Sequence, residues 1–312
     1  MLSRTAEALY WIGRYVERAE DTARLLDVHF HQVLEDPAID EMESCRVVAI
    51  VMGVPGEAPE QVRGILDFLG FDRTNPSSIV GALTAARHNA RGIREALSSE
   101  IWECLNTTHL ELGPRLDAAE GFGPAPFFSY VRQRAAMLAG YVDSTISKDS
   151  GYDFLVLGRS VERVDMTARL LAARVSTPAP GDSWVTTLRA CSAHEAFLRT
   201  YQRGVEAPLV LQFLLLDRLF PRSIFHALTV GEDALARLEP APGRAGSGDA
   251  ARRAIGRVRA GLEFLPPDDL LRDLPQRLDG IQRDMSDVSE MVSRRYFSGS
   301  AAVGWTLEES QT

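Results

Sequence analysis

Near its start the chain carries one long apolar stripe. Leu9, Ile12, Val16, Ala19, Ala23, Leu26, Phe30 and Val33 recur at alternating steps of three and four, the spacing that gathers side chains on one face of an α-helix. Ser3 or Thr5 can cap its start, and Asp36-Pro37 ends it, because the residue before a proline is pushed out of helical geometry. A helix over 3–35 extends about 45 Å at a helical rise of roughly 1.5 Å per residue. The stripe returns as Phe154, Leu157, Val161, Val164, Ala168, Leu171 and Val175, predicting a second long helix over 152–176.

The two stripes belong to a repeat. Residues 13–26 read GRYVERAEDTARLL and residues 158–171 read GRSVERVDMTARLL, identical at ten of fourteen positions with an offset of 145. The same offset aligns FLGFDRTNPSSIVGALT, Phe68 to Thr84, with FLLLDRLFPRSIFHALT, Phe213 to Thr229, identical at ten of seventeen. Each of these blocks reads as a helix end, an Asp-Arg pair (Asp72-Arg73, Asp217-Arg218), a turn, and a proline opening the next helix. Two separate segments sharing one register indicate a duplication, with halves at 1–148 and 149–312 forming one compact unit. Further helices are expected near 44–53, 58–70, 76–110 and 126–148 in the first half. In the second they are expected near 183–203, 206–218, 222–238, 249–264 and 268–296. Strand alternation is absent. The expected fold is all-α, a helical bundle of two duplicated halves with pseudo-twofold symmetry and helices 3–35 and 152–176 at its centre. PAPGRAGSG at 240–248 reads as a loop, and the tail from Ser298, around Trp305, as frayed or docked by that tryptophan.

The polar residues of the long helices repeat as faithfully as the apolar ones. Gly13, Arg14, Glu17, Arg18 and Arg24 return as Gly158, Arg159, Glu162, Arg163 and Arg169. These positions run around the whole helix, which a solvated face does not require. Both helices are therefore expected to lie deep, with their charges paired, because an unpaired buried ion is costly. Within each helix Arg14 can reach Glu17, Arg159 can reach Glu162, and Glu20-Arg24 and Asp165-Arg169 sit four apart. Arg18 and Arg163 lack an acid three or four residues before them, and are expected to cross to Glu162 and Glu17 respectively. Such a network either fixes helix register or forms an Arg/Glu site for an acidic or phosphate ligand.

These motifs resemble the alpha-E family, all-helical bacterial proteins named for a Glu-Arg pair. GRxxERxxxTARLL occurs near the start and again mid-chain, and RHNARGIREALSSEIWECLN (Arg87 to Asn106) and DRLFPRS (Asp217 to Ser223) are similar to other family segments. The resemblance implies work beside ATP-grasp-like and transglutaminase-like proteins in a peptide or amide-bond ligation system. On that reading the chain is a non-catalytic helical partner or scaffold without activity of its own. The alternative is an enzyme whose Glu-Arg site acts on a peptide or amino-acid substrate.

The halves differ at Arg87 to Asn106, expected to continue one helix carrying Arg87, Arg91, Arg94 and Trp102 along a face. Prolines interrupt the matching stretch of the second half. This face is either a recognition surface for a ligase or a carboxylate-bearing peptide, or an ordinary solvated face with internal ion pairs. Composition narrows the rest. A net charge of −9 disfavours nucleic acid and anionic membrane. The most apolar run, Ala207 to Leu216, is too short to span a bilayer. Without a recognisable signal peptide, and with three dispersed cysteines (Cys45, Cys104, Cys191), the expected location is the cytoplasm. Lys148 is the sole lysine, so Schiff-base chemistry has one candidate, in a polar stretch. The chain has no Glu-x-x-His, HExxH, P-loop or strand-borne GxGxxG, and Asp27, His29 and His31 diverge around their helix. Neither metal nor another cofactor is expected.

Overall fold

The computed structural model describes residues 1–37, 39–54, 59–177, 183–240, 246–266 and 269–297. Among these the chain is all-α, with thirteen helices and no strand. The first half contains α1 (Ser3–Glu35), α2 (Glu41–Met52), α3 (Val62–Ile65), α4 (Ile79–Gly92), α5 (Ser99–Phe122) and α6 (Ala125–Thr145). The second contains α7 (Ser150–Ser176), α8 (Ser183–Ala190), α9 (His194–Tyr201), α10 (Ala207–Leu216), α11 (Ile224–Leu238), α12 (Ala250–Glu263) and α13 (Leu274–Val292). π-helical turns extend α3 through Leu66–Phe71 and α13 through Ser293–Phe297.

Helices α1 and α7 pack against each other at the centre, with α4 and α6 on α1 and with α11 and α13 on α7. The stripe residues that predicted α1 are inside: Leu9, Ile12, Ala23 and Leu26 are almost fully buried. A buried leucine or isoleucine contributes about 1.5–3 kcal/mol, so this stripe drives the packing. Glu17, Glu20, Thr22 and His29 of α1 and Asp153, Ser160, Glu162 and Thr167 of α7 are buried as well. Two apolar clusters result, and the larger draws residues from both sides of the 148/149 boundary, from Leu9 and Leu138 to Leu157 and Leu228.

Several elements depart from the pattern-based expectation. The helix expected over 76–110 is two helices. α4 stops at Gly92, a poor helix residue, and Ile93 leaves helical geometry with φ −134° and ψ 30° while staying buried. A 3₁₀ turn at Arg94–Ala96 follows, and Ser98 restarts the chain as a cap, its Oγ accepting from the Ile101 amide. The helix expected over 183–203 divides likewise at Cys191–Ala193, where Ser192 takes φ 53°. Pro76 and Pro221 do not open helices. Ser78 and Ser223 are the caps, accepting from the Gly81 and His226 amides, and their hydroxyls donate to the carbonyls of Asp72 and Asp217. Most of the expected loop at 240–248, and the tail from Ser298, lie outside the described residues.

Candidate functional site

The site is built on a glycine crossing. A Cβ on Gly13 would stand 2.2 Å from the Leu155 carbonyl oxygen, and one on Gly158 would stand 2.0 Å from that of Tyr10. Only bare backbone fits, so α1 and α7 touch where the repeat places its glycines. One turn further along each helix the Glu-Arg pairs meet and cross. Arg18 Nε donates to Glu162 Oε1 at 2.5 Å and Arg18 Nη2 to Oε2 at 3.1 Å. Arg163 Nε donates to Glu17 Oε1 at 2.6 Å and Nη2 to Oε2 at 2.8 Å. Arg14 joins the first pair, donating from Nε to Glu162 Oε2 at 2.6 Å and from Nη1 to the Ser289 hydroxyl at 3.0 Å. The expected Arg14–Glu17 and Arg159–Glu162 contacts within one helix do not form. For Arg14 the helices lie so close that the carboxylate across the crossing wins over the one three residues along, whereas Arg159 pairs with neither. Glu20–Arg24 and Asp165–Arg169 do pair within their helices, at 2.6 and 2.8 Å.

Arg222, placed by the cap loop before α11, completes the second cluster. Its guanidinium contacts Glu17 at 2.9 Å, Glu20 at 2.8 Å, and Asp21. Burial raises the cost of every charge here, and the outcome depends on partners. For Glu17, Arg163 and Arg222 outweigh burial and hold the carboxyl at about 2. Burial also opposes ionisation of Glu162, but Arg18 and Arg14 keep its pKa below the usual range. Asp21 shares Arg222 with two other acids, and burial together with Glu17 and Glu20 pushes it up to about 7. Arg222 escaped the sequence reading, although a signal existed. Its repeat counterpart is Ser77, and that of Asp21 is Met166, so the two departures from the repeat are partners in space.

Arg159 has a different environment. Among the described residues it makes no hydrogen bond or ion pair, and it lines a cavity of about 210 Å³ between α1, α6 and α7. Glu17, Glu20, Arg163 and Arg222 edge the same cavity, and its remaining wall is apolar, with Ile12 and Leu155 among the side chains. Burial and the Arg163 charge both lower the Arg159 pKa, with Glu17 opposing.

A Glu-Arg motif in a helical chain is also what describes a known family. A family described as a predicted alpha-helical domain with a conserved ER motif, Alpha-E, matches residues 1–297. This chain belongs to the Alpha-E family. It is similar over 93% of its length to the uncharacterized protein Mb2597 of Mycobacterium bovis and to the uncharacterized protein Rv2567 of Mycobacterium tuberculosis, each at 26% identity. The chain spans about a third of the length of these relatives, 36% of each. No solved structure matches it.

The other candidate residues of this Alpha-E chain fall outside the crossing. Trp102 of α5 receives two cations on its ring, Arg94 at 4.5 Å and Arg87 at 5.7 Å from the centroid. Arg87 also donates to Asn106 Oδ1 at 3.2 Å, and Arg91 is exposed on the last turn of α4. Because the helix breaks at Ile93, these residues come from α4, the 3₁₀ turn and α5 instead of one continuous face. Asp72 and Asp217 are turn builders, their carboxylates accepting from the Thr74 amide and from the Leu219 and Phe220 amides. Arg73 is exposed, and Arg218 pairs with Glu263 at 3.0 Å. Among the described residues no group of three or more potential ligands could hold a metal ion. Asp27 binds Arg132 and, contrary to the expected divergence, also meets the half-exposed His31 one turn on, at 3.4 Å, while His29 is buried against Ser44 and Cys45. The three cysteines are buried thiols, Cys191 pushed up to about 12 and Cys45 to about 11 by burial. Lys148 pairs with Asp143 at 2.8 Å. Among the described residues no helix is long and apolar enough to cross a membrane.

Proposed function

We propose that this Alpha-E chain is a non-catalytic helical scaffold that binds and positions an ATP-grasp-type ligase in a peptide or amide-bond ligation system. The observation that carries the reading is the state of the two motif glutamates. A general acid or base needs a carboxyl free to exchange a proton with substrate near neutral pH. Glu162 is held by two arginines and Glu17 by two others, and both are held in the ionised form. Charges spent on each other in this way set helix register. The buried thiols and the paired lysine supply no activated nucleophile. In the mycobacterial relatives the matched region is about a third of the chain, which fits a module working with further segments. The ligase link, and a transglutaminase-like neighbour as second partner, follow from the family resemblance.

Co-purification with an ATP-grasp-type ligase of the same organism, followed by ATP turnover with and without this chain, tests the reading. Stable co-elution and a turnover that depends on the chain are expected. Absence of a complex, with unchanged ligase turnover, overturns it. The alternative, an enzyme acting on a peptide or amino acid through its Glu-Arg residues, draws support from the cavity at Arg159. It predicts substrate conversion by this chain alone, and loss of that conversion in Glu17→Gln.

A further inference from the structure

The repeat makes one half a control for the other. Glu162 is clamped by Arg14 and Arg18. Repeat register would clamp Glu17 by Arg159 and Arg163. Arg163 is there, but Arg222 takes the second place, and Arg222 has no counterpart because position 77 is Ser. Arg159 is thereby displaced from the network and left in the cavity wall. A second departure opens the space. In the first half Tyr10 fills the core beside Arg14, its hydroxyl donating to Ser289 at 2.9 Å. Its counterpart is Leu155, shorter and without a hydroxyl, and Leu155 lines the cavity. One side of the molecule has a tyrosine and a satisfied arginine; the other has a void and an arginine without a carboxylate.

We propose that the cavity between α1, α6 and α7 binds a small organic monocarboxylate with an apolar body, its carboxylate paired with Arg159 and its body against Ile12, Val16, Leu138, Val142 and Leu155. The cavity measures about 210 Å³, and a void of roughly 150 Å³ already admits benzene, so a branched-chain or aromatic acid fits. The guanidinium offers a fork of donors matched to a carboxylate. Glu17 and Glu20 do not exclude an anion, since Arg163, Arg222 and Arg24 neutralise them. Burial and the neighbouring Arg163 both weigh against the Arg159 charge, and a bound anion relieves that cost. The inference concerns a ligand of this chain and is independent of the ligase reading.

The experiment titrates the full chain with isocaproate and phenylacetate, and with the neutral amides of both acids, by calorimetry and ligand-observed NMR. At least one acid binds at millimolar concentration, and its amide binds about tenfold or more weakly, the loss expected for a hydrogen bond to a charged group. Arg159→Met abolishes binding by removing the charge, and Leu155→Tyr abolishes it by filling the cavity while leaving Arg159 in place. Folding is checked without ligand. Arg159→Met melts at or above the parent temperature, whereas Arg14→Met melts below it because Glu162 loses a partner. The proposal is overturned if neither acid binds, if an acid and its amide bind alike, or if the Leu155→Tyr protein binds like the parent. It is also overturned if Arg159→Met destabilises as much as Arg14→Met, which would make Arg159 a structural residue.

Discussion

Arg222 and Asp21 depart from the repeat together, and each accounts for the other. Arg222 is 10% exposed at its side chain and serves three acids. Glu17 and Glu20 pair with other arginines as well, but among the described residues the ion pair of Asp21 is with Arg222. Arg222→Ser installs the residue found at position 77 and leaves Asp21 buried without a cation, a loss of about 3–5 kcal/mol. Adding Asp21→Met, after Met166, is expected to recover a large part of it. A double-mutant cycle by urea denaturation measures the coupling, and additive losses would refute it. The acidity of this cluster gives a second expectation. Asp21 is raised from 3.8 to about 7, so between those values the folded state holds a proton that the unfolded chain releases. Its contribution therefore falls as pH rises, and the full penalty is reached above about 7. Glu17 has the opposite sign, with a folded value of about 2 against 4.5. Its stabilisation is complete above 4.5 and is lost as pH falls toward 2. Asp21→Asn should thus raise the melting temperature relative to the parent at about pH 8, and by less at about pH 5. A difference independent of pH would show that Asp21 titrates normally. Of these residues, the crossed pairs Arg18–Glu162 and Arg163–Glu17 were legible from the sequence, because neither arginine has an acid three or four residues before it on its own helix. Arg14 was not, because its choice between Glu17 and Glu162 depends on an interhelix distance that no spacing encodes.

That distance belongs to the elements. Gly13 and Gly158 let the α1 and α7 backbones touch, and the obstacle to a Cβ at either position is a carbonyl oxygen, which cannot rotate aside. Gly13→Ala should separate the helices and loosen every crossed pair, costing about 3 kcal/mol or more, the upper end for overpacked sites. Gly140 in α6 has nothing within 4 Å, so Gly140→Ala should stabilise by about 0.5–1 kcal/mol through helix propensity alone. Denaturation midpoints of the two variants should move in opposite directions. Element type was readable wherever the apolar period was long, and α1 and α7 were placed nearly to their ends. The break at Ile93 was not readable, because Ile93 and Ile101 are both buried and the apolar pattern runs on through Gly92 and Ser98. Helices α4 and α11 start three residues beyond the prolines expected to open them, for a related reason. A proline after an Asp-Arg turn marks a helix start well, but here the serine two residues later bonds back to the aspartate carbonyl.

At the scale of the whole molecule, the larger core and all crossed ion pairs join residues on both sides of position 148. A fragment of residues 1–148 keeps α1 but loses Arg163 and Arg222, leaving Glu17 without either of its cations. Residues 149–297 keep Glu162 but lose Arg14 and Arg18. Separately expressed fragments should therefore show low helicity by circular dichroism and recover it on mixing. Two fragments each folding to native helicity would make the halves independent. The same reciprocity bears on synthesis. Glu17 leaves the ribosome 146 residues before Arg163 and 205 before Arg222. At elongation rates of roughly 5–20 residues per second, its neutralising partners arrive about 7–40 s later. Through that interval the nascent first half lacks α7, so the side of α1 that packs on it, around Leu9, Ile12 and Val16, is without that cover. Maturation of the fold therefore waits on the synthesis of the second repeat.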